Sequence, residues 1–182
     1  MLKNSLKLNE VVKVQYPKYK RSDIALLTSL RSNARYTLTE LSRLTKIPIS
    51  TVFDKIRNYE TTFITKYSPL IDFTKFGFFA RANVILKVGK QHLDQARIYL
   101  LNHPNVNSLY KINNGFDFQV ELVFRHMQEL EEFLDLFSRR FAVKQIITFY
   151  LIDEIKKESF LTSMNSADMI DLTYHKKIMA KK

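Results

Sequence analysis

Apolar positions recur at helical spacing through the first third of the chain. Ile24, Leu27 and Leu30 form one such set, and Leu38, Leu41 and Leu44 a second. After the break Lys46-Ile47-Pro48, Val52, Ile56, Tyr59 and Phe63 line a third face. This pattern predicts three short helices over residues 23–64, with a tight turn between the second and third. Ser22 is the expected N-cap of the first helix, Asp23 suits its dipole, and Asn33-Ala34-Arg35 ends it. The second helix starts at Thr37 or Thr39; from Thr37, Glu40 has the spacing of a capping box. Pro48 and Ser50 bracket the entrance of the third helix, where a proline is tolerated.

From Ile64 the period changes. Residues 64–67 and 70–73 read as extended, with Pro69 between them, and suit a connecting strand or a small wing. Residues 79–88 alternate as a strand. A helix follows over Leu93, Ala96 and residues 98–101, ended by His103-Pro104. Residues 106–112 are a second strand, Asn113-Asn114-Gly115 a turn, and residues 116–124 a third strand. Residues 127–141 form an amphipathic helix with Leu130, Phe133, Leu134 and Phe137 inward, and residues 143–151 a final strand. The order β-α-β-β-α-β is the split, ferredoxin-like arrangement. Helices cover one face of such a sheet, with Phe118, Val120 and Leu122 beneath them. Gln119, Glu121 and Val123 mark a mixed opposite face, through which the domain is expected to dimerise. The expected division is a basic extension (1–21), a helix-turn-helix domain (22–66), a linker (67–77), a ferredoxin-like domain (78–158) and a tail (159–182). Val12, Val14 and Tyr16 alternate like a short strand in the extension. In the tail Ala167, Ile170, Tyr174 and Ile178 fall at helical spacing.

Charge sharpens this picture. The chain of 182 residues carries a net charge of +11, and the first 66 residues hold thirteen lysines and arginines against five acids. Residues 67–161 are nearly balanced, at twelve against eleven. A basic half that also carries the three-helix pattern implies a polyanionic partner, double-stranded DNA. On the outward face of the third helix Ser50, Thr51, Lys55, Arg57 and Asn58 are side chains that donate to phosphates and base edges. Arg35, Arg43 and Lys46 are candidate phosphate anchors. With 46% hydrophobic residues, three glycines and four prolines, the chain has the composition of a packed protein. No apolar run approaches bilayer length, and the opening residues do not lead into a signal-peptide core, so no membrane contact is expected and the expected setting is the cytoplasm. The chain has no cysteine, which excludes disulfides, a thiolate zinc site and a cysteine nucleophile.

Several local patterns resemble the Lrp/AsnC (leucine-responsive, or feast/famine) regulators. Asp23-x-x-Leu26-Leu27-x-x-Leu30 with Asn33-Ala34-Arg35 resembles the family's first helix and its end. Leu38-Thr39-Glu40-Leu41-Ser42 resembles the start of the second, and Ile49-Ser50-Thr51-Val52-x-x-Lys55-Ile56 the recognition helix. Asp72-Phe73-Thr74-Lys75-Phe76-Gly77 resembles the family linker. His103-Pro104-Asn105-Val106 and Gly115-Phe116-Asp117 resemble loops of its effector domain. The resemblance implies an α+β protein: an N-terminal winged helix-turn-helix domain followed by a ferredoxin-like βαββαβ domain of the RAM type. It implies a sequence-specific transcriptional regulator rather than an enzyme, homodimers that assemble further, to octamers for example, and an amino acid or related metabolite as effector. Carried over, the effector loop is Asn113, Asn114, Gly115, Phe116 and Asp117, where Asp117 would hold an α-amino group and backbone N–H groups a carboxylate. As a plain turn, Asn-Asn-Gly capped by Asp117 accounts for the same residues. Departures from the family include Asp54 in place of a basic residue and Thr62-Phe63 in place of a glycine. A further departure is Phe53 in place of a small polar residue, where it packs on the second helix or touches a thymine methyl.

Other chemistry finds little support. His92, His103, His126 and His175 lack metal spacing, and no metal or cofactor is expected. Glu129, Glu131, Glu132 and Asp135 read as a solvated helix face. There is no nucleophile elbow and no phosphate-binding glycine loop. Siroheme decarboxylases resemble this family in both domains, and that alternative would use His126 or Arg125 against a tetrapyrrole. A helix-turn-helix repurposed for protein contacts is the remaining alternative, with Phe53 and Asp54 in its favour.

Overall fold

The computed structural model of the chain describes residues 19–163 and Ile170. The strand-like lead-in and, apart from Ile170, the helical pattern of the tail lie outside these residues. The described residues fall into two compact units, one of residues 19–68 together with the stretch from Glu158 and one of residues 69–157.

The first unit holds α1 (Arg21–Ser32), α2 (Leu38–Thr45) and α3 (Ile49–Thr62). Leu26, Leu30, Leu41, Ile47, Val52 and Tyr59 close its core. The buried stripe of α1 centres on Leu26, which is fully buried, and Leu27 is only partly covered. In α2 the expected inward set shrinks to Leu41. Leu38 and Leu44 are exposed, because eight residues give room for one central contact. Helix α1 begins at Arg21 with Lys20 as N-cap, which places Ser22 inside the first turn rather than at the cap. The capping box of α2 forms: Glu40 N–H donates to Thr37 Oγ1 at 3.2 Å, and Thr37 N–H to Glu40 Oε2 at 2.7 Å. These bonds hold the Glu40 carboxyl below its usual range. Lys46 takes a left-handed conformation (φ 59°) and turns the chain into α3, while Ser42 Oγ donates to the Ile47 carbonyl. Arg31 anchors the returning C-terminal stretch through an ion pair with Glu158 and a 3.3 Å bond from Nε to the Phe160 carbonyl.

Between the helices and the sheet, residues 64–72 form neither helix nor strand, and 73–76 make a single 3₁₀ turn. Among the described residues, the extended stretch foreseen there is a connector and forms no paired wing. Within the described residues it meets no second strand, and unpaired extended backbone is not a sheet.

The second unit runs β1 (Ala80–Lys87), α4 (Leu93–Asn102), β2 (Val106–Lys111), β3 (Phe118–Phe124), α5 (Met127–Phe141) and β4 (Gln145–Tyr150). The sheet order is β2-β3-β1-β4, with every neighbouring pair antiparallel. Ala82, Val84 and Leu86 of β1 and Phe118, Val120 and Leu122 of β3 point to the helix side, where Leu100, Leu130, Phe133, Phe137 and Phe141 meet them. Rings pack at tilted angles where α4 and its C-cap meet α5, with Tyr99 and Phe141 5.3 Å apart and His103 4.6 Å from Phe133. Register places Arg81, Asn83, Ile85, Gln119, Glu121, Ser108, Tyr110, Ile147 and Phe149 on the opposite face, which carries no helix of this unit among the described residues. No helix among the described residues is long and apolar enough to cross a membrane.

Candidate nucleic-acid interface and effector loop

Helix α3 presents two different surfaces besides its buried stripe of Val52 and Tyr59. Ile49, Phe53 and Arg57 follow one another at i, i+4 and i+8, and so share a ridge. All three are exposed, as are Ser50 and Asp54 beside them. The Arg57 guanidinium lies over the Phe53 ring, 5.8 Å from its centroid. Thr51, Lys55 and Asn58 turn the other way, toward the start of α1. With Tyr19, Asp23, Asp54, Tyr59 and Phe63 they line a hollow of about 310 Å³.

That hollow is organised by Asp23. Its carboxylate pairs with Lys55 Nζ and accepts from the Tyr59 hydroxyl at 2.6 Å. Burial works to raise the Asp23 carboxyl, but the bonds from Lys55 and Tyr59 outweigh it and hold the group below its usual range. Burial, with the Asp23 charge beside it, pushes the Tyr59 phenol well up. The pair is three-quarters or more covered, with Lys55 at 25% and Asp23 at 18% side-chain exposure. Of the residues proposed from sequence for DNA, Ser50 and Arg57 therefore stand on the open ridge, and Arg35, Arg43 and Lys46 are exposed on the preceding elements. Thr51 and Asn58 border the hollow, and Lys55 reaches across it. Sequence reasoning did not single out Ile49 as part of the exposed ridge. Its i, i+4 relation to Phe53 was the available signal.

The effector loop is a tight hairpin. Asn114 (φ 62°) and Gly115 (φ 86°) are both left-handed, and Phe116 N–H closes on the Asn113 carbonyl at 3.4 Å, as in a type I′ turn. A side chain at Gly115 would meet nothing within 4 Å, so the backbone conformation alone asks for glycine. Asp117 fastens the hairpin to β1. Its N–H donates to the Leu86 carbonyl at 2.9 Å, and its carboxylate accepts from Val88 N–H at 2.8 Å. Asn113, Asn114 and Gly115 remain exposed, and Phe116 and Asp117 are half-buried. The groups named for a tetrapyrrole are placed otherwise: Arg125 lies over the Phe78 ring at 5.1 Å, and His126 sits at the N-cap of α5.

The model of the Lrp/AsnC ligand-binding domain matches residues 81–161. An uncharacterised HTH-type transcriptional regulator of Pyrococcus horikoshii is 30% identical over 123 residues, which span 65% of this chain and 79% of that protein. The chain belongs to the Lrp/AsnC family. Another relative, the HTH-type transcriptional regulator FL11 of the same organism, is 26% identical over 63% of this chain and 76% of its own length. Solved structures share the Lrp/AsnC fold. LrpC of Bacillus subtilis superposes with a TM-score of 0.70 at 21% identity, over 78% of this chain and 99% of its own. A transcriptional regulator of Neisseria meningitidis in complex with L-methionine gives a TM-score of 0.72 at 20% identity, over 78% and 95%. The matched ligand-binding domain takes in the sheet unit from β1 to β4 and the residues just after it.

Proposed function

We propose that this protein is a DNA-binding transcriptional regulator that grips duplex DNA through α3 and responds to a small amino-acid-like metabolite. The observation that carries this reading is the open ridge of α3. Ser50 and Arg57 stand on it, with Arg35, Arg43 and Lys46 exposed nearby in sequence, in the first 66 residues, where most of the net positive charge lies. The protein acts as a homodimer paired through the helix-free face of the sheet, each copy presenting one recognition helix to a roughly palindromic operator. Further assembly, to octamers for example, and action in the cytoplasm complete the reading.

We place the effector site at the 113–117 hairpin, and an amino-acid-like effector is in keeping with the L-methionine complex of the Neisseria regulator. Since the Asp117 carboxylate already serves Val88, the exposed amides of Asn113 and Asn114 and the turn backbone are the groups free to meet a ligand there.

Purified protein is incubated with a random duplex-DNA pool across a salt series, and the retained strands are sequenced. The expected result is steeply salt-dependent binding that enriches a two-fold symmetric site. Absence of binding at low salt would overturn the regulator reading.

A further inference from the structure

We propose that Phe53, with Ile49 one turn before it, makes α3 a reader of thymine 5-methyl groups in the major groove. The inference rests on the DNA-binding reading above and names what the helix selects. Phe53 is 46% exposed and Ile49 47%, on the ridge of α3 that also carries Arg57. Two large apolar side chains in water on a recognition helix are a cost to the free protein. They are compensated only if the partner offers apolar surface at the same place. Among the base edges facing the major groove, the thymine methyl group is the one apolar feature, and aliphatic and phenyl side chains are its usual partners.

Two details favour base edges over the phosphate backbone as what Phe53 meets. Arg57 holds the ring from one side, its guanidinium 5.8 Å from the centroid, which limits where the phenyl group can point. Asp54, exposed beside Phe53, would be repelled by phosphates but can accept a hydrogen bond from an exocyclic amino group on a base. The basic balance of the first 66 residues, thirteen cations to five acids, supplies the attraction that brings this apolar ridge against a polyanion.

The test uses the full chain and a duplex enriched from the random pool. Each thymine is replaced in turn by deoxyuridine, which removes the methyl group and leaves every hydrogen-bonding group in place. Dissociation constants are read by fluorescence anisotropy. The wild type should lose about four-fold in affinity at each thymine whose methyl meets the ring or Ile49. Phe53→Ala should bind thymine and uracil duplexes alike at the positions it reads, with an unchanged salt slope because no charge is removed. Phe53→Leu should keep part of the discrimination. Steep salt-dependent binding with no thymine-uracil difference at any position would overturn the inference and leave the regulator reading standing. So would binding that enriches no sequence, or a methyl preference that persists undiminished in both Phe53→Ala and Ile49→Ala. Failure of the wild type to bind any duplex would overturn both, and the ridge would then be a protein-contact surface.

Discussion

Asp23 shows how much one carboxylate can organise. It lies in the first turn of α1, where an acid favours the helix dipole, yet its main partners are 32 and 36 residues away, Lys55 and Tyr59 on α3. In the fold the carboxyl is held below its ordinary value near 3.8, so it keeps its charge at pH values where an unfolded chain would already have taken up a proton. Its contribution to stability is therefore complete above that ordinary value and fades as the pH falls through the lower folded one. Asp23→Asn should cost about 2 kcal/mol at neutral pH, in the range for charge-assisted hydrogen bonds under partial cover. Hydrogen exchange at the amides of α1 and α3 in the full chain reads this loss. The difference from wild type should narrow as the pH drops below 4. A gap that stays constant down to pH 3 would show that the carboxylate charge is not what joins the helices.

At the scale of the element, α3 separates two kinds of lysine and arginine. Arg57 stands on the open ridge over the Phe53 ring, and Arg57→Ala should lower the slope of log K against log salt by about one while weakening all duplexes alike. Lys55 is already neutralised by Asp23, so Lys55→Ala should act mainly through the loosened α1–α3 contact and change the slope less. Equal slope changes in the two variants would instead place Lys55 at the DNA backbone. This division was only half legible from sequence. The existence of the helix, its start after Pro48 and its buried positions Val52 and Tyr59 follow from period and capping alone. Which outward residues remain outward depends on Asp23 in the first turn of α1 and on Tyr19 just before that helix, and long-range neighbours leave no periodic trace. The same contrast recurs in the second unit. The strand and helix order and the Asn114-Gly115 turn could be read locally, since a type I′ turn states its chemistry in two residues. That the Asp117 carboxylate is bound by Val88 N–H could not, because strand register decides it.

Among the described residues, one face of the sheet carries no helix of its own unit. On it Arg81 bridges Glu121 and Glu154 at 2.8 and 2.9 Å, and Glu121 also accepts from Asn107 and Ser108, while the buried Arg81 Nε has no hydrogen-bond partner among the described residues. Burial acts to raise the Glu121 carboxyl, but these bonds bring it below its usual range. Farther along β1, Ile85 lies between Ile147 and Gln119, and Phe149 of β4 is 54% exposed next to Asn83. A sheet face with fixed charges at one end and uncovered apolar groups at the other is suited to a second copy of itself, since a two-fold axis brings each patch against its equivalent. If this pairing joins two recognition helices, self-association and DNA affinity must fall together. Phe149→Glu places a charge where the partner sheet would sit and touches no residue of the helix-covered core. Sedimentation should then report monomers. Binding to a two-fold symmetric duplex should weaken by a factor on the order of 10² or more, because the second half-site is no longer engaged from an effectively tethered partner. Binding to a duplex carrying one half-site should be nearly unchanged. A variant that remains dimeric would move the interface off this face, and a monomer with undiminished affinity for the full site would separate dimerisation from DNA recognition.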